Sequence, residues 1–126
     1  MTVAEAIGKF DKLKPNQYGN EQKVEWLSDL DKRLVDLVFA KHENNPAEDW
    51  QPYELYSEGV DGRELLVPDE FSDLYITYLT YKVDYFNGEF ERFNNAALLY
   101  NTHLQEFMAY WNRENKPLKK TDVVMK

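Results

Sequence analysis

The 126-residue chain contains no cysteine, which excludes disulfide bonds, thiolate nucleophiles and thiolate metal sites. No apolar run approaches the roughly 20 residues that a membrane-spanning helix needs. The first residues have neither the basic nor the apolar stretch of a signal peptide, so we expect a cytoplasmic protein. Acidic residues outnumber basic ones by 23 to 15, and the resulting net charge of −8 disfavours binding to nucleic-acid phosphates.

Glycine and serine are also scarce, and they build no catalytic or nucleotide-binding motif. The five glycines form no phosphate-binding loop, and no serine lies in a G-x-S-x-G nucleophile elbow. His42 and His103 lack partners at the spacing of a zinc site, so each is interpreted as solvated or as capping a helix. We therefore expect neither an enzyme nor a bound cofactor or metal.

Two amphipathic helices are predicted in the first third of the chain. Thr2 and Glu5 have the spacing of a capping box, and apolar residues then recur at helical spacing to about Leu13. A second helix is predicted from an N-cap at Asn20 to about Lys41. Its charged residues lie off the apolar face and are interpreted as exposed: Asp29, Asp31, Lys32, Arg33 and Asp36.

Turn-forming residue pairs interrupt residues 42–68, where the helical spacing of apolar residues ends. Two short runs, 53–56 and 64–67, flank Asp61 and Gly62, which predicts a short β-hairpin or an extended arm. A two-stranded hairpin is marginal alone, so we expect it to lean on the helices or on a neighbouring subunit. The residues expected to contribute to subunit contacts are Tyr53, Tyr56, Leu65, Leu66 and Val67.

The last third of the chain predicts a long antiparallel helix pair. One helix is expected over 71–86 with Asp69 as its N-cap, and the other over 90–111, with apolar residues alternating at three and four. The Asn87-Gly88 pair tolerates the left-handed backbone that ends helices, and such a short turn favours antiparallel packing. Residues 1–117 are thus predicted to form one mainly α, small helical bundle, followed by a mobile tail over 118–126.

Aromatic residues make up 15% of the chain, including nine tyrosines. An aromatic stripe at helical spacing usually forms the core. The tyrosines of the last two helices cannot all face one seam, however, so some are expected to face a protein partner. The residues expected at such an interface are Tyr81, Tyr85 and Tyr110.

Several short motifs occur along the chain in a distinctive order. They are LKPNQY at 13–18, WLSDLD at 26–31, LVP at 66–68, NGE at 87–89 and FNN at 93–95. In this order they resemble a family of small proteins encoded in prophages and tailed phages of low-GC Gram-positive bacteria, and the resemblance covers most of the chain, from about Thr2 to Arg113. The family is similar to head–tail connector, or adaptor, proteins.

The resemblance implies a helical structural subunit that forms a ring between portal and tail. Its partners would be other copies, the portal protein and tail-side neck proteins, with assembly in the host cytoplasm and a final place in the virion neck. DNA would pass through the ring without specific binding, and no membrane or active site is implied. The sequence leaves open adaptor, stopper and tail-terminator positions. The alternative function is an acidic regulatory or DNA-mimicking inhibitor that binds a host nucleic-acid enzyme.

Overall fold

The computed structural model describes residues 1–54 and 59–118, which form a mainly helical bundle. The mainly α fold predicted from the sequence is confirmed. Single turns of 3-10 helix occur at Phe39–Lys41, Val60–Gly62 and Asp69–Phe71. The α-helices of the described residues are α1 (Val3–Leu13), α2 (Asn20–Leu37), α3 (Asp73–Phe86) and α4 (Phe90–Glu114).

Local sequence determines where α1 and α2 begin and end. The predicted capping box is present: the Thr2 hydroxyl accepts from the Glu5 amide, and the Glu5 carboxylate accepts from the Thr2 amide, each at 3.2 Å. Such a cap contributes about 1 kcal/mol. Helix α2 starts at Asn20, but Gly19 occupies the N-cap position predicted for Asn20. Its α-helical part ends at Leu37, and the 3-10 turn continues to Lys41.

Helices α3 and α4 form the predicted antiparallel pair. The corner turns at Gly88, whose φ of 72° lies in the left-handed region that favours glycine. Helix α3 begins at Asp73, later than predicted, because Asp69–Phe71 form a separate 3-10 turn. Asp69 does not cap α3 and instead pairs with the amino group of Met1. Helix α4 continues to Glu114, beyond the predicted end, and its 25 residues extend for about 37 Å.

One hydrophobic core joins all four helices. Phe10 of α1, Leu30 of α2, Leu74 of α3 and Phe107 of α4 are each fully buried. The aromatic rings of Phe39 and Phe107 meet edge to face at 5.9 Å, a favoured geometry that adds to the burial of area. This continuous core supports a single domain over the described residues.

The described residues do not support the predicted β-hairpin between α2 and α3. The backbone of Glu64 instead forms an isolated antiparallel bridge with Thr2, and the Leu65 amide donates to the Met1 carbonyl at 2.9 Å. The expected hairpin loop is a 3-10 turn over Val60–Gly62. The polar backbone of 63–65 therefore finds its partners at the start of the chain, which removes the need for a strand at 53–56. Of that strand, residues 55 and 56 lie outside the described residues.

The end of α4 is tied back to the end of α2. The Glu43 amide donates to the Lys116 carbonyl, and the Leu118 amide donates to the Lys41 carbonyl, both at 2.9 Å. We call this pairing of residues 41–43 with 116–118 the clasp. Leu118, predicted as the first residue of a mobile tail, is therefore hydrogen-bonded to the body. The remainder of that tail, 119–126, lies outside the described residues.

Candidate functional site

A buried carboxylate, Asp31, connects three parts of the chain. One of its oxygens accepts the Tyr75 hydroxyl of α3 at 2.6 Å. The other accepts the Tyr53 hydroxyl and the Leu66 amide of the segment between α2 and α3. Asp31 is 0% exposed, so its interpretation as a solvated residue of α2 is wrong. The carboxylate acts as the acceptor on which α2, α3 and the connecting segment converge.

Burial raises the pKa of Asp31 to about 6, although the hydrogen bonds from Tyr53, Tyr75 and Leu66 oppose the rise. Burial also raises the pKa of both tyrosine hydroxyls, and the neighbouring Asp31 charge raises it further. The Tyr75 oxygen additionally accepts the Val67 amide at 2.9 Å. Asp31, Tyr53 and Tyr75 are thus hydrogen-bonded to one another or to the backbone, and these bonds hold the fold together.

Two further ion pairs fasten α1 to its neighbours. The buried Lys23 ammonium of α2 lies 2.7 Å from Asp11, and Lys14 lies 2.8 Å from the buried Asp84 carboxylate of α3. Each pair compensates one charge that would otherwise be buried without a partner, an arrangement that costs several kcal/mol when it is broken. The buried charges of the described interior therefore have structural roles.

The two histidines have different surroundings. His42 is 5% exposed, so the solvated interpretation is wrong for it. Its Nδ1 lies 2.6 Å from the Val38 carbonyl at the end of α2, as the capping interpretation expects, and its Nε2 lies 2.8 Å from the side-chain oxygen of Asn112. His103 lies 3.2 Å from the Thr77 hydroxyl. Across residues 1–54 and 59–118, no three His, Asp or Glu side chains come together as a possible metal site.

The concave surfaces formed by the described residues include a groove with both acidic and basic walls. An open groove of about 590 Å³ lies along α2, and its walls carry two acidic and two basic side chains whose charges balance. No helix in the described part of the chain is both long and apolar enough to cross a membrane. The residues that line the groove are Asp29, Lys32, Arg33, Asp36 and Leu37.

The structure separates the predicted interface residues into three groups. Tyr53, Leu65 and Val67 are buried in the core, at 4%, 6% and 2% exposed, which leaves no side-chain surface for a neighbouring subunit. The segment that carries them leans on the helices, one of the two supports expected from the sequence. Tyr85 is 52% exposed, and Tyr56 lies outside the described residues. The half-buried members are Leu66, Tyr81 and Tyr110.

Large aromatic side chains are exposed where α3 meets α4. Phe86 and Phe90 are 56% and 66% exposed, and together with Tyr85 we call them the aromatic corner. Phe86 is held in place because it stacks on Trp26 at 5.7 Å, while Tyr85 contacts Phe93 at 5.5 Å. Phe86 and Phe90 continue the apolar spacing of the two helices, which usually marks core positions. They are the last residue of α3 and the first residue of α4, and Phe86 remains more than half exposed although it stacks on Trp26 of α2.

The excess negative charge is confined to one segment. Residues 43–70 contain nine acidic residues and a single basic one, Arg63, so the entire net charge of −8 belongs to this acidic segment. All of its acidic residues that the structure describes are exposed. The rest of the sequence, taken together, contains equal numbers of acidic and basic residues. The described acidic residues of the segment are Glu43, Glu48, Asp49, Glu54, Asp61, Glu64, Asp69 and Glu70.

Comparison with protein-family models, with curated proteins and with solved structures finds no match to this chain. Its candidate functional surfaces are therefore defined by geometry alone. They are the aromatic corner and the acidic segment.

Proposed function

We propose that the protein is a structural subunit of a phage head–tail connector, forming a ring between the portal and the tail. The observation that supports this most is the aromatic corner. Three large aromatic side chains exposed together on a small acidic protein favour a protein partner, since aromatic residues are enriched in interfaces. The order of short motifs that resembles phage connector proteins gives this partner its proposed identity.

The α3–α4 pair is suited to present such a contact. A ring subunit needs a rigid body and an edge that adheres to the next copy. The aromatic corner lies at one end of α4, a helix of about 37 Å whose inner face is anchored by buried residues such as Tyr100 and Phe107. Its position is thus fixed before assembly, which lowers the entropy lost when a neighbour binds.

The acidic segment has a proposed place in the same ring. Exposed carboxylates repel the phosphates of DNA, so a channel lined by them would let DNA pass without adhering. We expect residues 43–70 to face the channel. A structure of the assembled ring in which a basic or neutral surface lines the channel would contradict this orientation.

The test measures the mass of the protein alone and with portal protein over a concentration series. We expect rings of many copies, or stoichiometric binding to the portal ring. Phe90→Ser should weaken that assembly at least tenfold, because Phe90 is the most exposed member of the aromatic corner. Leu13→Ser is the matched control, since Leu13 is equally exposed at 66% but lies at the end of α1.

A second candidate function is favoured by the acidic segment itself. The acidic segment exposes eight described carboxylates, and such a cluster of negative charge favours binding to a basic surface. An acidic regulator or DNA mimic would bind the basic surface of a host nucleic-acid enzyme through these carboxylates. The same measurement separates the two functions. A persistent monomer that ignores the portal protein and inhibits a nuclease would overturn the connector proposal in favour of this one.

A further inference from the structure

Helix α4 carries a second stripe of residues at coiled-coil spacing, beside the one that faces the core. Successive members are four, three, four, three and four residues apart, so they lie along one side of the helix. All are exposed except the half-buried Met108. We call this stripe the α4 seam, and its members are Asn94, Leu98, Asn101, Gln105, Met108 and Asn112.

The α4 seam crosses the longest uncharged stretch of the sequence. Residues 93–105 contain no Asp, Glu, Lys or Arg, although such residues make up 30% of the chain. Leu98, the apolar member within this stretch, is 69% exposed. An exposed apolar side chain with few charged residues around it is typical of the core of a protein interface.

The order of residues along the seam is chemically the same in both directions. Read from either end it is amide, apolar, amide, amide, apolar, amide. When two such helices pack antiparallel, Leu98 faces Met108 of the other copy and Asn101 faces Gln105. Asn94, Asn101 and Gln105 each offer both a donor and an acceptor, so these amides can pair across the contact. The side-chain oxygen of Asn112 already lies 2.8 Å from His42, which leaves its amino group for the other copy. A seam of this kind matches itself through a two-fold axis.

From this pattern we propose that a second copy of the chain docks on the α4 seam, with the two α4 helices antiparallel about a two-fold axis near His103. The distribution of charge favours this occupant. Two copies with a net charge of −8 repel each other, but all of that net charge lies in residues 43–70, so the uncharged seam is where they can approach at least cost.

The pair is distinct from the proposed connector ring. A ring is built from two different surfaces that meet head to tail, whereas this contact uses the same surface twice and closes at two copies. It leaves the aromatic corner out of the seam. A single helix face also buries less than the roughly 800 Å² per partner of a standard interface, so we expect a dissociation constant in the micromolar range or higher.

The absence of cysteine provides a direct test of the geometry. Asn101→Cys and Gln105→Cys are single changes at exposed seam positions, in a chain with no other thiol. Mixed and oxidised under mild conditions, the two variants should form the mixed disulfide in preference to either homodimer, because antiparallel packing places residue 101 opposite residue 105. Preference for the two homodimers would overturn the antiparallel arrangement.

A second measurement tests the pairing without any cross-link. Sedimentation of the Phe90→Ser variant, in which ring assembly is weakened, should show a monomer–dimer equilibrium, and adding Leu98→Glu should raise its dissociation constant at least tenfold. Leu13→Glu is the control, because Leu13 has nearly the same exposure as Leu98, 66% against 69%, and lies off α4. A chain that remains monomeric up to about 500 µM, or a dimer that Leu98→Glu leaves intact, would overturn the proposal. Both experiments use the protein alone, so their result is separate from any binding to a portal.

Discussion

Replacing Asp31 by asparagine should abolish a pH dependence of stability that the buried carboxylate creates. Burial raises the pKa of Asp31 from its usual 3.8 to about 6 in the folded protein. Between those two values the folded protein holds a proton that the unfolded chain has released. Its free energy of unfolding therefore falls as pH rises, by up to about 1.4 kcal/mol per pH unit.

The size of the effect follows from the width of that window. A difference of about two pKa units corresponds to about 3 kcal/mol lost between pH 4 and pH 7. Asparagine keeps one acceptor oxygen for a tyrosine hydroxyl but carries no titrating group. At pH 4 we expect Asp31→Asn to be less stable than the original protein by about 1–2 kcal/mol, because the second acceptor is lost. Between pH 4 and pH 7, the free energy of unfolding of the original protein should fall by about 3 kcal/mol more than that of the variant.

Urea unfolding at several pH values, followed by tryptophan fluorescence and far-UV circular dichroism, measures this difference directly. Asp36→Asn is the control, since Asp36 lies on the same helix with its side chain exposed. The difference in free energy of unfolding between Asp36→Asn and the original protein should stay constant within about 0.5 kcal/mol from pH 4 to pH 7. If the difference for Asp31→Asn is equally flat from pH 4 to pH 7, the reasoning about the buried carboxylate is refuted.

Three further substitutions test other contacts by urea or thermal unfolding. Tyr75→Phe removes a buried hydroxyl that donates to the carboxylate of the network and accepts a backbone amide, and should cost about 2 kcal/mol. Lys14→Met leaves the buried Asp84 carboxylate without its cation and should cost about 3 kcal/mol. Gly88→Ala forces a side chain into a backbone with φ of 72°, which should cost about 1 kcal/mol.

Each of these substitutions has a matched control in the same chain. Tyr85→Phe and Lys12→Met change exposed residues and should alter the free energy of unfolding by less than about 0.5 kcal/mol. Gly8→Ala lies within α1, where no atom approaches within 4 Å of the added carbon, and should stabilise the protein by about 0.5–1 kcal/mol. Equal losses in a variant and its control would show that the contact in question contributes nothing.

The helices were predictable because their apolar residues recur at a regular spacing along the sequence. The inner face of α4 shows one spacing over three heptads, and a capping box and a glycine corner mark helix ends by rules that involve only neighbouring residues. Interactions within a few residues of each other leave a pattern that one sequence is enough to show.

The buried polar network was not predictable in the same way. Asp31 was interpreted as exposed because a charged residue off the apolar face of a helix usually is. Its hydroxyl partners, Tyr53 and Tyr75, lie 22 and 44 residues away, and no local spacing indicates that they meet. The hairpin prediction failed for a related reason, since Glu64 pairs with Thr2 at the far end of α1.

The exposed surfaces were predictable in part. The excess of tyrosine indicated outward-facing aromatic residues, and Tyr85 is one of them. Periodicity alone could not show that Phe86 and Phe90, at the corner between α3 and α4, remain more than half exposed. Their exposure depends on how the helices pack, which local spacing does not reveal.

The clasp has a consequence for the order in which the protein folds. It joins Glu43 to Lys116, residues separated by 73 positions, whereas the corner between α3 and α4 closes over only a few residues. Loop closure between distant segments costs more entropy, so the helix hairpin should form early and the clasp late. During synthesis, residues 41–43 cannot form the clasp until residues 116–118 have left the ribosome. In native-state hydrogen exchange, the Glu43 and Leu118 amides should accordingly open before those of the core helices.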